Sequence, residues 1–318
     1  MNASINKKHL LTLVIYSLLL LAGTIFLYHY RNDFALLSFN HPLLLVPLLM
    51  VMLLFTLSNG ALNNLWFRAY GAHLNFLEYT GLSVVNALGN CVTPFRGGAL
   101  TNAYYLKKHY NLDYLKFLNL FAATNILIFW LNSLLGLLSL LLIYLLDHSF
   151  SWLVLLVFVG CLLLFTLMMY LPGKLSLKHL SLLPLKIKSA ILGFREIKNH
   201  QIVIVKTLLY ALLNILLIVV MTILEFKLLN INITIAQALF LSIFSAFAQL
   251  LSLTPANLGI REGFMLYAGT VIGLPLAEVV VVSAIDRIIF FILTLLLSFY
   301  FTNYLICNKN QKSRIITH

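Results

Sequence analysis

Charged side chains are scarce. They make up 9% of the 318 residues, and only nine are acidic, whereas roughly a quarter of an ordinary soluble domain is charged. Together with an apolar fraction of 62% and a mean hydropathy of +0.99, that scarcity excludes a soluble globular domain of any size. Cysteine is also scarce: Cys91, Cys161 and Cys307 lie in or beside apolar segments with no metal-like spacing, so neither a disulfide framework nor a cysteine metal site follows. A phosphate-binding glycine loop, an HExxH helix and a GxSxG elbow are all missing, which removes the familiar routes to hydrolytic catalysis. The histidines fall mostly in loops or at span ends. The chain is therefore expected not to be an enzyme and to need neither cofactor nor metal.

What remains is a polytopic membrane protein. About 20 apolar residues cross a bilayer core, and runs of that length recur along nearly the whole chain. The net charge of +12 does not imply nucleic acid, because the basic residues sit between apolar runs. Lys7 and Lys8 precede the first run, Lys107, Lys108 and Lys116 follow a short polar stretch, and Lys174, Lys178, Lys186, Lys188, Arg195 and Lys198 crowd a loop over 172–200. Lys309, Lys312 and Arg314 close the chain. Basic residues are retained in the cytoplasm. With all of these inside, chiefly Arg31 and Lys227 are left outside, which places both termini in the cytoplasm of a bacterial-type inner membrane. The run Leu10 to Leu27 resembles a signal sequence, but no small-residue cleavage site follows it, so it is read as a retained N-terminal transmembrane helix.

Two stretches rhyme: Thr93-Pro94-Phe95-Arg96-Gly97-Gly98 and Thr254-Pro255-Ala256-Asn257-Leu258-Gly259-Ile260-Arg261-Glu262-Gly263. In each, a Thr-Pro pair interrupts an apolar run, and the segment that follows is too short, at ~1.5 Å per helical residue, to cross the core. Each is read as a re-entrant pair of broken helices, entered from opposite sides. The expected fold is all-α, an inverted repeat of two halves, about 42–146 and 202–305, within one integral membrane domain spanning 1–318. The bland alternative is that both prolines merely kink ordinary spans. Leu115 to Leu146 is long enough to be one tilted span or a bent pair, and Ile187 to Ile197 is read as a surface amphipathic helix.

Both short helices would begin near mid-depth with free N–H groups and partial positive charge facing inward. Arg96 and Arg261 add full charge, and their planar forks suit phosphate or carboxylate. The expected anion-binding set is Arg96, Arg261, Gly97, Gly98 and Gly259, with Glu262, Asp286 and Arg287 as a supporting charge network. Thr93, Pro94, Thr254 and Pro255 mark the helix breaks. Asn86, Asn90, Asn102, Thr124, Asn125 and Gln249 put further hydrogen-bonding groups near the same depth, serving equally well as interhelical contacts.

The stretch Leu253 to Gly263, followed by Gly273-Leu274-Pro275 and then Asp286-Arg287, resembles the flippase-like integral membrane family that includes the membrane domain of lysylphosphatidylglycerol synthases. Thr93 to Gly98 with Ala103-Tyr104-Tyr105-Leu106 is similar to the family's first-half segment. Where the family usually has an acidic residue and then an arginine, this chain has Ala99 and Asn102. Where it has an acidic-basic pair in the next helix, this chain has Thr124-Asn125. The resemblance implies translocation of a lipid, either an anionic phospholipid or a polyprenyl-linked lipid, without the synthases' soluble aminoacyl-transferase domain. The alternatives are a membrane scaffold partnering a glycosyltransferase or lipid-modifying enzyme through the basic loop, and a secondary transporter of a small anion.

Overall fold

A computed structural model describes residues 41–93, 97–147, 150–170, 200–251 and 254–316, with 192, 193, 195, 197 and 198 in between. The expected N-terminal helix, the break residues Pro94 to Arg96 and most of the basic loop lie outside the described residues. All regular structure among the described residues is helical: α1 (Leu45–Ala69), α2 (Phe76–Val92), α3 (Gly98–Tyr110), α4 (Tyr114–Asp147), α5 (Trp152–Tyr170), α6 (Gln201–Leu228), α7 (Ile235–Ala248), α8 (Ile260–Val271) and α9 (Leu276–Ile316).

Five stretches are long and apolar enough to cross a membrane: Pro42–Ala69, Tyr114–Leu146, Trp152–Tyr170, Gln201–Leu228 and Leu276–Ile306. The chain is an integral membrane protein. The 115–146 region is one continuous helix, the most buried of the five, whereas α5 is the most exposed. The remaining helices are shorter. At 1.5 Å per residue, α2 is about 26 Å long, α3 about 20 Å, α7 about 21 Å and α8 about 18 Å, so none alone covers the roughly 30 Å core. They pack in consecutive pairs, α2 on α3 and α7 on α8.

Local chemistry fixes where these short helices start. Asn75 Oδ1 accepts from Glu78 N at 2.8 Å while Glu78 Oε2 accepts from Asn75 N at 3.0 Å. Thr234 and Gln237 repeat that reciprocal cap on α7, at 3.2 and 2.9 Å. Such caps satisfy N–H groups that helix geometry leaves unpaired, each worth about 1 kcal/mol. Glu78 is fully buried and also accepts from the Tyr105 and Tyr110 hydroxyls at 3.1 and 2.9 Å, tying α3 to the start of α2.

Two apolar cores sit at opposite ends of the bundle. One is aromatic: Phe129 of α4, Phe158 and Phe165 of α5, and Phe240, Phe244 and Phe247 of α7 stack with ring centroids 4.7–5.9 Å apart. The other joins Phe67, Leu74, Leu82, Leu106 and Phe117 with Leu305 of α9. Arg68, Lys107, Lys108 and Lys116 collect beside this second core. Between the two cores, α1 packs on α6, α2 on α9 and α7 on α4. The facing side chains of that middle zone are largely apolar, with amides, hydroxyls and charged groups set among them.

Candidate functional site

This zone encloses a cavity of about 730 Å³, walled by α1, α2, α4, α6, α7 and α9 and by the starts of α3 and α8. Measured along α9, Asp286 and Arg287 stand ten and eleven residues beyond the first residue of that helix, about 15 Å, or about half the thickness of a bilayer core.

The charged wall is built on the α7–α8 break. After α7 the chain runs through two short 3₁₀ turns, Gln249–Leu251 and Pro255–Asn257, before α8 begins. Ala256 (φ 50°), Asn257 (φ 60°) and Gly259 (φ 80°) are all left-handed. Only the last is a residue that adopts this region freely. A break at this depth exposes carbonyls that no water in hydrocarbon can satisfy, and the sequence provides a donor for each of four. Arg287 Nη1 donates to Ala256 O at 2.6 Å and Nη2 to Asn257 O at 3.2 Å. Asn257 Nδ2 donates to Ala248 O at 2.7 Å, and Thr254 Oγ1 to Leu258 O at 2.8 Å.

The four charges of the expected network converge, in crossed pairs. Arg261 of α8 pairs with Asp286 of α9, and Arg287 of α9 pairs with Glu262 of α8. Neighbouring residues on each helix thus hold opposite partners, so two ion pairs lace α8 to α9. Arg261 also donates through Nε to Ser245 Oγ of α7, and Ser283 Oγ donates to Glu262 Oε1 at 3.5 Å. Glu262 Oε2 takes the free N–H of Gly259 at 2.7 Å, capping α8. Arg261 lines the cavity.

The opposite wall carries amides and hydroxyls. Gly98 N, the first donor of α3, gives its hydrogen bond to Asn90 Oδ1 at 3.1 Å. Thr93 closes α2, its Oγ1 donating to Gly89 O at 2.6 Å. Asn102, Thr124 and Asn125 also face the cavity, and Thr124 and Asn125 donate to carbonyls of their own helix. Arg96 and Pro94 lie outside the described residues. Of the expected anion-binding set, Gly97 and Gly98 stand at the α2–α3 break, and Gly259 and Arg261 at the α7–α8 break.

Among the lining groups that escaped the sequence reading are Asn59, Asn214 and Glu225. Asn214 Nδ2 of α6 donates to Asn59 Oδ1 of α1 at 3.2 Å across the central helix crossing. The third is Glu225, read from sequence as marking the outer end of a span. It is 3% exposed, lines the cavity and interacts with Asp286. The signal was available: Phe226 and Leu228-Leu229 continue the apolar run past it, and Thr222, one turn back, shares its face.

A family model for the lysylphosphatidylglycerol synthase TM region matches residues 14–298, which covers both breaks and the whole cavity. The chain belongs to that family. No curated protein and no solved structure matches it. Membership in the lysylphosphatidylglycerol synthase TM region family and the five spanning helices together fit a membrane protein of lipid metabolism or transport, one in contact with membrane lipid.

Proposed function

We propose that the chain is a lipid flippase of the bacterial-type inner membrane. A phospholipid or polyprenyl-linked headgroup crosses through the mid-depth cavity while its tails stay in lipid. The single observation that carries this reading is the cavity between two broken-helix corners, whose mainly apolar wall carries arginine, amide and hydroxyl groups. A hydrated headgroup crossing hydrocarbon unaided loses its hydrogen bonds; here arginine, amide and hydroxyl groups replace them at the depth where the barrier is highest. The Arg261 guanidinium is the donor for a headgroup phosphate, and Arg96 is its first-half counterpart by sequence. Nothing in the role requires covalent chemistry.

The inverted repeat is supported by the main helix contacts, most of which, though not α6–α9, keep a counterpart when α1–α4 are exchanged for α6–α9. The α1–α6 contact maps onto itself, α2–α9 becomes α7–α4, α2–α3 becomes α7–α8, and α3–α4 becomes α8–α9. The short pairs are then re-entrant, opening to opposite sides, as in transporters that bind substrate where two such elements meet. The end bearing Arg68, Lys107, Lys108 and Lys116 faces the cytoplasm on charge grounds.

The test is leaflet exchange of fluorescent phosphatidylglycerol and polyprenyl-phosphate analogues in proteoliposomes. Arg261→Gln and Arg96→Gln proteins, reconstituted at equal amounts and shown to be folded, should lose at least ten-fold in exchange rate. Folded wild type that exchanges neither lipid overturns the proposal.

A further inference from the structure

The cavity wall built from α1 to α4 differs in chemistry from the wall on the α7–α8 break. Among the described residues it carries no charged side chain, and its polar groups are chiefly carboxamides. Helix geometry sets them in stripes. Asn59 and Asn63 of α1 stand one turn apart and Asn125 and Asn132 of α4 two turns apart, so each pair shares a face of its helix, and the second pair spans about 10 Å of wall.

Some of these amides are already used. Asn125 donates to Phe121 O, and Asn59 accepts from Asn214. Others are not. Asn102 of α3 and Asn132 are 5% and 2% exposed, and the Oδ1 of each has no hydrogen-bond partner among the described residues. The indole Nε1 of Trp66, on α1, likewise has none. A buried polar atom left unpaired costs about 1–3 kcal/mol, and protein interiors keep few of them. Here two acceptors and a donor, from three helices, belong to side chains that border one cavity. Asparagine also turns easily about its last torsion, so each amide offers the cavity either an acceptor or two donors.

That chemistry selects a class of ligand. A phosphate alone asks for cations and N–H donors, which Arg261 supplies at the other wall, and it leaves amide oxygens unused. A cationic headgroup asks for carboxylates, and the described residues of the α1–α4 wall include none. Arg96, assigned to this cavity by sequence, adds positive charge and no acid. Neighbouring hydroxyls, each donor and acceptor at once, match carboxamides in both senses. Trp66, Phe117 and Phe121 line the same wall, and their apolar rings suit the C–H face of a ring that bears such hydroxyls.

We infer that the headgroup is a neutral polyol, a sugar or a cyclitol, joined to its lipid through phosphate. The phosphate lies at Arg261, and the hydroxyls lie on the amides of α1, α3 and α4. The inference rests on the flippase reading and names its substrate class. No covalent bond is made or broken; the amides replace the water that the hydroxyls give up.

The test compares wild-type leaflet exchange within two pairs of fluorescent lipids, each pair being phosphodiesters of equal charge. One pair is phosphatidylethanol and phosphatidylinositol, and the other is polyprenyl methyl phosphate and polyprenyl phosphohexose. In at least one pair the polyol lipid should exchange at least ten-fold faster than its partner, and the pair with the larger ratio tells whether the carrier is a glycerolipid or a polyprenol. Equal rates within both pairs, or faster exchange of the lipids lacking a polyol, overturn the polyol inference and leave the flippase reading standing. No exchange of any of the four overturns the flippase reading itself. Asn102→Leu and Asn132→Leu then locate the hydroxyls. Leucine has the heavy-atom shape of asparagine without its polar atoms, and the replaced oxygens have no partner to lose, so Tm should not fall while the rate ratio drops toward one. An unchanged ratio in folded variants overturns the assignment to these amides, and the wild-type comparison decides the polyol inference even where a variant fails to fold.

Discussion

The α2–α3 corner and the α7–α8 corner solve one problem with different materials. Both interrupt the helical path between two short helices, and both must satisfy the backbone groups that the break releases. At the first corner the described residues do this with close packing and neutral groups. A Cβ on Gly98 would stand 2.0 Å from Asn86 O, and one on Gly89 2.6 Å from Gly98 Cα, so the two helices touch backbone to backbone. Asn90 then reaches the first N–H of α3. At the second corner the turn is left-handed at three residues, and charged side chains hold it. Among the described residues the first arrangement is held by close packing and the second by a clamp, so equivalent positions in the two corners should respond to mutation in opposite ways.

The largest effect is expected from removing the clamp. Arg287→Ala leaves the carbonyls of Ala256 and Asn257 without donors and Glu262 without its cation, all at membrane depth. Breaking a buried ion pair from one side destabilises by about 3–5 kcal/mol. The variant should show a much lower Tm in detergent, or no monodisperse protein. Arg287→Lys should recover only part of the loss, because an ammonium cannot serve two carbonyls and a carboxylate with a planar fork. A variant as stable as wild type would show that the second corner, like the first, is held by shape. The next effect belongs to the first corner. Gly98→Ala drives a methyl into Asn86 O and also within 2.9 Å of Asn90 Oδ1. Backbone is the obstacle there, so α2 and α3 must separate, at a cost of about 1–3 kcal/mol. Thermal unfolding followed by tryptophan fluorescence or by exposure of Cys91 to a thiol reagent would read it.

The same contrast explains what could be read in advance. The long spans were legible because a bilayer demands about 20 apolar residues, and that demand leaves no alternative spelling. The breaks were legible because Thr-Pro and glycine stand inside apolar runs at 93–98 and 254–263. The convergence of Arg261, Glu262, Asp286 and Arg287 followed from the need of charges in hydrocarbon to find partners. Their pairing did not follow. Asp286 and Arg287 are adjacent and invite a local pairing to orient Arg261, yet they point to different partners because successive residues on a helix stand about 100° apart. The left-handed backbone at Ala256 was also hidden. Alanine rarely adopts that region, and it does so here because Arg287 grips its carbonyl, a contact 31 residues away in sequence. Glu225 was missed because a charge near the end of an apolar run is ordinarily an interfacial marker. Only the packing of α6 against α7 and α9 shows that it faces inward.

The smallest effect sharpens the comparison most. Gly263 is the second corner's nearest match in sequence to a packing glycine, following Arg261-Glu262 much as Gly97-Gly98 follow Arg96. A Cβ built on it meets nothing within 4 Å, and it sits four residues into α8 with ordinary helical backbone. Gly263→Ala therefore has no steric cost and removes a residue that weakens a helix interior by up to about 1 kcal/mol relative to alanine. The expected outcome is a Tm equal to or slightly above that of wild type, against the clear loss in Gly98→Ala. If Gly263→Ala folds as well but loses lipid exchange, the open space beside Gly263 is where a ligand or a moving helix comes close. The glycine is then kept for transport rather than for packing. If both stability and exchange are unchanged, the second corner depends on its arginines alone, and the two corners share a shape without sharing the means of holding it.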